Sequence, residues 1–556
     1  MFQEKIFQKK NILLVIFLTL YALCVAQQTD AAWYSKKKVT IICYMNGDNN
    51  LAGEVLHAVD MMETVGSSDE VEIIALVDGR PGDNGGYGPQ WEKTKILHIT
   101  KDDEIGIIHS RVIEDMGEKN LGDPIVLEKF IKRCLKYPSE KYIFILFAHG
   151  RGIIDTKSLT NQKEKNYKSV LLSPDETGQR AMSHQEFKLA VKNGLSGEKF
   201  HLMLFFSCLT NMVEVGYGLR DMTRYMIGSE DEIRIVNEPP GTFQIRGIEP
   251  EKLIGTIVAN QNVPALELGK VTIDSFISQY AAGNNIHNEK QKKKARKLPA
   301  SLALVDCSKY NKLSESLDIL ANHLVDLLRH ETLGKEVLTG LHAAITVSQN
   351  YPSFLNLEYV DLQNILENLT EYSRDRLTKE LCQNSIDILK NELILYERHT
   401  DDSQSNGVSI FLPSFLVPEN IYLTHRRMYE EASFSKDTSW GKLIDLYRAQ
   451  MLERNTEILV DEYEKAFFSS DIEVLERLNS KISWALRKDI LNGKYISTQR
   501  YLGILGKMDA TSLPSRFLLT LQDALQTRDK HHQVNADLRE TVEVLLISTE
   551  NNIPNV

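Results

Sequence analysis

The chain has 556 residues, 42% hydrophobic and 25% charged, the balance of a folded protein and not of a disordered one. That length supports more than one domain, each with a core of its own. Acidic side chains outnumber basic ones 76 to 65, and the net charge of −11 gives a nucleic-acid partner no overall electrostatic support.

At the amino terminus, Lys5, Lys9 and Lys10 precede the apolar run Ile12–Ala26, which is short for a membrane span and suited to a signal-peptide core. Cys24-Val25-Ala26 offers small residues around a cleavage point, so residues 1–26 read as a signal peptide. The expected destination is outside the cytoplasm, secreted or in the periplasm or cell envelope, with no stable membrane span once the segment is removed. An uncleaved anchor is the alternative. Bulky Leu23 before Cys24 argues against a lipoprotein cysteine. Cleavage leaves Cys43, Cys134, Cys208, Cys307 and Cys382. They contain no CxxC pair, so neither a zinc ribbon nor a dense disulfide scaffold is indicated, and their odd number leaves at least one thiol unpaired.

Val39–Met45 reads as a buried strand, followed by the turn "NGDNN" and a helix over 51–65. Val71–Val77 is the next strand. The Gly-rich stretch after it opens no helix and does not match a phosphate-binding loop. Pro124–Tyr137 has the 3.6-residue periodicity of an amphipathic helix. "YIFILFAHGRG" (Tyr142–Gly152) then runs as a buried strand into His149-Gly150. The polar, lysine-bearing segment Thr156–Ser169 precedes a helix capped by Ser183. "HLMLFFSCLTN" (His201–Asn211) is a second buried strand, ending in Ser207-Cys208. A helix over 213–222 and a strand over Tyr225–Ile227 follow. The basic run Lys290–Lys297 reads as a solvated loop. "LPASLALVDCS" and "NGVSIFLP" (Asn406–Pro413) are further strands, and from about Met451 the pattern is almost wholly helical. Strands alternating with helices predict an α/β fold, a mostly parallel sheet covered on both faces. The expected organisation is a catalytic core over 36–285, a second half over 298–450 and a helical extension over 451–556.

Ligands of open parallel sheets bind outside the carboxyl ends of the strands, where His149 and Cys208 both stand. A thiol is a nucleophile only as thiolate, and a neighbouring imidazole accepts or stabilises that charge. The backbone amides of Gly150 and Cys208 are candidates for an oxyanion hole, and a glycine after the histidine admits substrate close to the main chain. Taken singly, a buried cysteine is a small apolar residue and a histidine before glycine is a turn residue. The pair is informative only if the two strands are neighbours.

Several segments resemble the clostripain family of cysteine endopeptidases, in the caspase-like clan with gingipains, legumains and separases. "YMNGDNNLAG" (Tyr44–Gly53) resembles the family's first strand and turn. Asp115–Gly152 resembles the approach to the catalytic histidine, and Ser207–Asp231 the nucleophile with its following helix and strand. "LALVDCSKYNKL", "YVDLQNILENL" and "NGVSIFLP" are similar to elements of its second half. The resemblance spans about residues 38–415 and implies a three-layer caspase-like α/β/α sandwich, with the helical tail as an addition whose partner is unknown. It implies Cys208 as nucleophile, His149 as base or imidazolium partner, and Gly150 and Cys208 as oxyanion donors. Substrates are then proteins or peptides, and no metal or other cofactor is required by the chemistry. Calcium enters through the family alone; "SPDETGQ" (Ser173–Gln179) lacks EF-hand spacing.

The chain departs from that family at the nucleophile. The family's Asp-Ala-Cys, whose aspartate binds a basic side chain before the cut, is Phe206-Ser207-Cys208 here. Loss of that carboxylate removes the attraction for Arg or Lys, and an apolar or mixed preference is expected. Glu230 or Asp231, at the end of the next strand, is the alternative source of charge for the substrate pocket. Self-cleavage within Thr156–Ser169, or alternatively at the run Lys290–Lys297, is a further expectation from the family, to be lost or moved if the pocket no longer prefers basic residues. Two rival readings share the scaffold, a secreted pseudoprotease that binds peptides without cutting them, and a thiol-dependent acyl or amide transferase.

Overall fold

The computed structural model describes residues 36–153, 172–175, 177, 180–235, 245–281, 299–353, 356–401, 403–415, 417, 419–454, 457–469, 472–491, 496–508, 518–522, 524–525 and 536–550. The expected signal peptide, the segment Thr156–Ser169 and the basic run Lys290–Lys297 lie outside the described residues.

Four apolar runs form the centre of the molecule because a strand buried on both faces needs no polar alternation. They are β1 (Lys37–Asn46), β2 (Val71–Asp78), β5 (Ser139–Phe147) and β8 (Phe200–Phe206). With β3 (Thr94–His98), β4 (Arg111–Gly117), β9 (Thr223–Gly228), β10 (Ser301–Asp306) and β13 (Ile394–His399) they build a nine-stranded sheet in the order β13-β10-β9-β8-β5-β1-β2-β3-β4. The five strands from β9 to β2 run parallel. The edges are antiparallel, through β3 and β4 on one side and β10 and β13 on the other. Strand β4 escaped the sequence reading because most of its residues are exposed and it carries no hydrophobic run.

Helices cover both faces. On one, Cys43 and Met45 of β1, Ile145 and Phe147 of β5, and Leu204 and Phe206 of β8 pack with α1 (Ala52–Glu63), α5 (Pro250–Ala259) and α6 (Ala265–Ala281). On the other, Tyr44 meets Phe130 of α2 (Pro124–Cys134) at 6.2 Å between ring centroids, and Phe144 meets Phe187 of α3 (His184–Leu195) at 6.4 Å. Local chemistry fixes where these helices start. Asp123 caps α2 by accepting the Ile125 amide, with Pro124 in the first turn. Ser183 and Glu186 close a capping box on α3. A short helix, α4 (Val213–Leu219), follows β8. The result is a three-layer α/β/α sandwich, parallel at its centre.

Strands β6 (Leu172–Asp175) and β7 (Arg180–Met182) pair as an antiparallel ribbon, and a separate three-stranded sheet, β11 (Asn350–Ser353), β12 (Asn356–Asp361) and β14 (Ser409–Phe411), contains the strand expected at "NGVSIFLP". The chain forms two compact units. The first comprises residues up to Leu324, Gly340–Leu412 and Leu423–Gly441; the second comprises Val325–Thr339, Pro413–Tyr422 and Lys442 onward. The second unit is helical. Its buried Leu478, Ile482 and Leu486 recur at helical spacing, and Tyr463 and Tyr501 meet edge to face at 5.0 Å.

Candidate active site

Strands β5 and β8 are direct neighbours in parallel register, Phe147 opposite Phe206. His149 and Cys208 each lie two residues past that pair, so the sheet delivers both to the same carboxyl edge. The Ala148 amide donates to the Phe206 carbonyl at 3.2 Å, which carries the pairing up to the histidine.

His149 is half-buried, and its Nε2 lies 2.8 Å from Asn50 Oδ1. With a carbonyl oxygen as acceptor, Nε2 is the protonated nitrogen and Nδ1 the basic one. Asn50 comes from the turn between β1 and α1, so β1 supplies the orienting group and β5 the base. Cys208 is half-buried too. Its sulfur accepts the Ile233 amide at 3.2 Å and lies 3.7 Å from the Ile233 carbonyl. Burial pushes the thiol up to about 11; the charges of Glu232 and Asp231 add to this, and the Ile233 and Gly150 amides oppose it. The Gly150 amide is thus directed at the sulfur. No larger residue fits there, because a Cβ on Gly150 would fall 2.1 Å from the Cys208 carbonyl oxygen and 2.4 Å from Ser207 Oγ. After the cysteine, Leu209 adopts φ 53°, a left-handed conformation that side chains rarely take and that turns the chain sharply at the sulfur.

Elements remote in sequence support both loops. The Tyr359 hydroxyl of β12 donates to the Arg151 carbonyl at 3.0 Å. Asn211 donates to the Gly407 carbonyl at 2.6 Å, and the Ser409 amide of β14 donates to the Asn211 carbonyl at 3.0 Å.

A cavity of about 480 Å³ opens beside this edge. Phe147 and Phe206 line it, with rings edge to face at 3.9 Å between centroids. Ala58, Met61, Ile235 and Ile248 add apolar wall; Glu54, Asp83, Glu249, Glu251 and Arg246 bring charge, and Asn50 joins it to the histidine. Phe206 therefore reaches the cavity as the sequence suggested. Ser207 does not; it is buried against Gly150. Glu230 and Asp231 are not brought there either, which corrects the expectation that they charge the pocket. Glu230 is wholly buried, accepts the Gly407 amide at 2.6 Å, and is held well above the carboxylate range by burial and by the charge of Asp361. Asp231 accepts the amide of Glu232 at 2.7 Å, and burial raises it to about 6. Beyond β9 the chain turns inward, under the loop that follows Cys208, and takes both acids with it.

The sequence profile of the clostripain family matches residues 43–447. The chain belongs to the clostripain family. It is a cysteine-type peptidase, whose substrates are proteins or peptides. Clostripain of Hathewaya histolytica is 24% identical to it over 422 residues, 70% of this chain and 78% of the relative. Among solved structures, the secreted C11 cysteine protease iotapain of Bacteroides thetaiotaomicron has a TM-score of 0.51 at 16% identity, covering 73% of this chain and 100% of its own. An inactive zymogen C11 protease from Parabacteroides distasonis has a TM-score of 0.50 at 15% identity, covering 73% and 99%. The two structures share the fold.

The family raises the question of calcium, and one carboxylate cluster suits a hard cation. Asp48, Asp78 and Glu118 each place an oxygen within 4.8 Å of the others, and the buried Asp48 Oδ1 has no hydrogen-bond partner. An ion of that kind would supply positive charge to the β1–α1 turn; the thiol chemistry itself has no step that requires it. Sequence reading missed this cluster, and it missed Asn50 and Ile233. Only the "NGDNN" turn, with its run of short polar residues, signalled two of them.

Proposed function

We propose that this clostripain-family chain is an exported endopeptidase that cuts peptide bonds with Cys208 as nucleophile and His149 as base. The thiol gives its proton to Nδ1 of His149, and the sulfur attacks the scissile carbonyl. Negative charge gathers on the carbonyl oxygen, where the amides of Gly150 and Cys208 are the available donors. Collapse of the tetrahedral adduct breaks the C–N bond; the imidazolium returns its proton to the leaving amine, and a thioester remains. Water, deprotonated by the same imidazole, hydrolyses the thioester and restores the thiol. Asn50 keeps Nε2 protonated throughout, which reserves Nδ1 for the transfers.

The single observation that carries this reading is the Phe147–Phe206 register, because it puts histidine and cysteine at equal heights on adjacent strands. Burial, which raises the Cys208 thiol to about 11, favours its protonated form at rest, while the Ile233 amide that donates to the sulfur favours the thiolate. The aromatic floor of the cavity favours an apolar side chain before the cut. Export rests on Lys5–Ala26, and among the described residues no helix is long and apolar enough to cross a membrane.

Labelling with a peptidyl acyloxymethyl ketone tests the dyad. The expected result is one adduct, at Cys208 by mass spectrometry, lost in Cys208→Ala and slowed at least about a hundredfold in His149→Ala. Slow labelling spread evenly over the cysteines, unchanged by His149→Ala, would mean a scaffold that binds without cutting.

A further inference from the structure

We infer that Glu230 is a positioning residue for the proposed nucleophile, a neutral acid that shares its proton with Asp361 and so ties the loop after Cys208 to the small sheet β11-β12-β14. That loop lies directly on the end of β9. The Leu209 amide donates to the Asp231 carbonyl at 3.1 Å, and the Thr210 and Asn211 amides both donate to the Ser229 carbonyl at 2.9 Å. Glu230 stands between those two carbonyls in the chain. Its wholly buried side chain accepts the Gly407 amide at 2.6 Å through Oε1. The Asn211 side chain donates to the carbonyl of the same Gly407, also at 2.6 Å. Gly407 is therefore gripped at both polar atoms, by the nucleophile loop and by the strand end under it. Its own backbone is closely packed, at φ 100° with a Cβ falling 2.8 Å from that of Ala303.

Glu230 also meets Asp361, at the end of β12, and neither acid has exposed surface. Among the described residues neither forms an ion pair. Two buried carboxylates without a counter-ion do not both stay charged; one keeps a proton. The donors around them say which. Asp361 accepts three amide hydrogens, from the Asn406 backbone at 2.5 Å, the Asn364 backbone at 2.7 Å and Asn406 Nδ2 at 3.1 Å. That set suits a carboxylate. Glu230 has one backbone amide, that of Gly407, and its Oε2 is buried without a partner. The Tyr351 hydroxyl closes the site, 2.7 Å from Ser405 Oγ and 3.5 Å from Asp361 Oδ2. A proton on Oε2, donated to Asp361, satisfies that oxygen and adds no charge. Burial and then the charge of Asp361 hold Glu230 well above the carboxylate range, and the hydrogen bond between the acids raises Glu230 while it lowers Asp361.

One proton thus joins three segments remote in sequence: the nucleophile loop, the end of β9 and the turn before β14. Without it, two adjacent charges would repel in a site that water does not reach, and the grip on Gly407 would slacken. A carboxamide copies the protonated acid, since its oxygen accepts from Gly407 and its NH2 donates to Asp361. The link to catalysis rests on Cys208 as the proposed nucleophile; the shared proton itself does not.

Peptide hydrolysis by full-length variants reads the positioning role. Glu230→Met, of similar length but without polar atoms, is expected to lose at least about tenfold in kcat/KM, and Glu230→Gln to regain all but about threefold. Asp361→Asn removes the charge that three amide hydrogens surround and is expected to lose as much as Glu230→Met. A Glu230→Gln variant no better than Glu230→Met, or a folded Glu230→Met with full activity, would overturn the role. Tolerance of Asp361→Asn beside intolerance of Glu230→Gln would overturn the placing of the proton. Infrared spectra of Cys208→Ala and of Cys208→Ala/Glu230→Gln at about pH 8, where ordinary carboxyls are ionised, read the proton directly. A protonated-carboxyl C=O band is expected in the first and missing from the second; identical spectra would overturn the shared proton. That comparison needs no active cysteine, so its outcome stands apart from any failure of labelling at Cys208, which would count against the dyad alone.

Discussion

Phe206 stands where the clostripain family's pattern has aspartate, and the structure gives that exchange a location. Its ring lines the cavity against Phe147, two residues before the sulfur. An arginine or lysine entering there meets aromatic carbon in place of a carboxylate. Phe206→Asp is therefore expected to raise kcat/KM for substrates with Arg before the cut by about tenfold or more, while substrates with Leu or Phe lose ground. A peptide-library scan of both proteins reads the change, and an unaltered profile would move the specificity pocket elsewhere. His149 and Cys208 were legible in the sequence because each ends a long apolar run, and such runs announce buried strands. Ile233 and Glu118 were not, since their roles come from contacts between segments that no local pattern joins, and Asn50 showed only as one of the short polar residues of a turn. Glu230 and Asp231 were misread for a related reason. Nearness to a strand end says nothing about which way the following turn faces.

Small elements far down the chain hold the loops that strands β5 and β8 present. Tyr359 of β12 reaches back to the Arg151 carbonyl, and the Asn211 loop is bonded to Gly407 and Ser409 around β14. Gly152, at φ 67°, leaves no room for a side chain, since a Cβ would sit 2.7 Å from the Tyr359 hydroxyl. Tyr359→Phe keeps the ring and removes one hydrogen bond. Its expected stability cost is about 1 kcal/mol, while kcat/KM falls about three- to tenfold because the loop bearing Gly150 loses its tether. Thermal unfolding beside steady-state kinetics separates the two, and a stability loss with kinetics intact would reduce the contact to simple packing. The second-half strands were recognisable from sequence as strands. That β14 would leave the main sheet and support the nucleophile loop was not, because pairing partners depend on the fold of the whole chain.

Across the whole molecule, several acids are buried with raised affinity for protons. Glu214 of α4 has no exposure and accepts the Phe411 amide at 3.0 Å, and burial lifts it to about 7. Burial brings Asp361 and Asp231 to about 6. A carboxyl with a higher pKa folded than unfolded binds more protons in the native state, so stability falls as pH rises between the two values. For Glu214 that window runs from the ordinary carboxylate range to about pH 7. Glu214→Gln removes its share, about 3 kcal/mol at most. The variant's unfolding midpoint is expected to gain on the unmodified protein from pH 5 to pH 8; parallel curves across that range would show that Glu214 ionises freely. The interleaving of the sheet carries one more consequence. Strand β10 lies between β9 and β13, and β14 binds the loop after Cys208, so the segments on either side of residues 282–298 are woven into one fabric. Scission of the backbone in that interval would yield two polypeptides that separate in denaturant yet travel together as a single native particle.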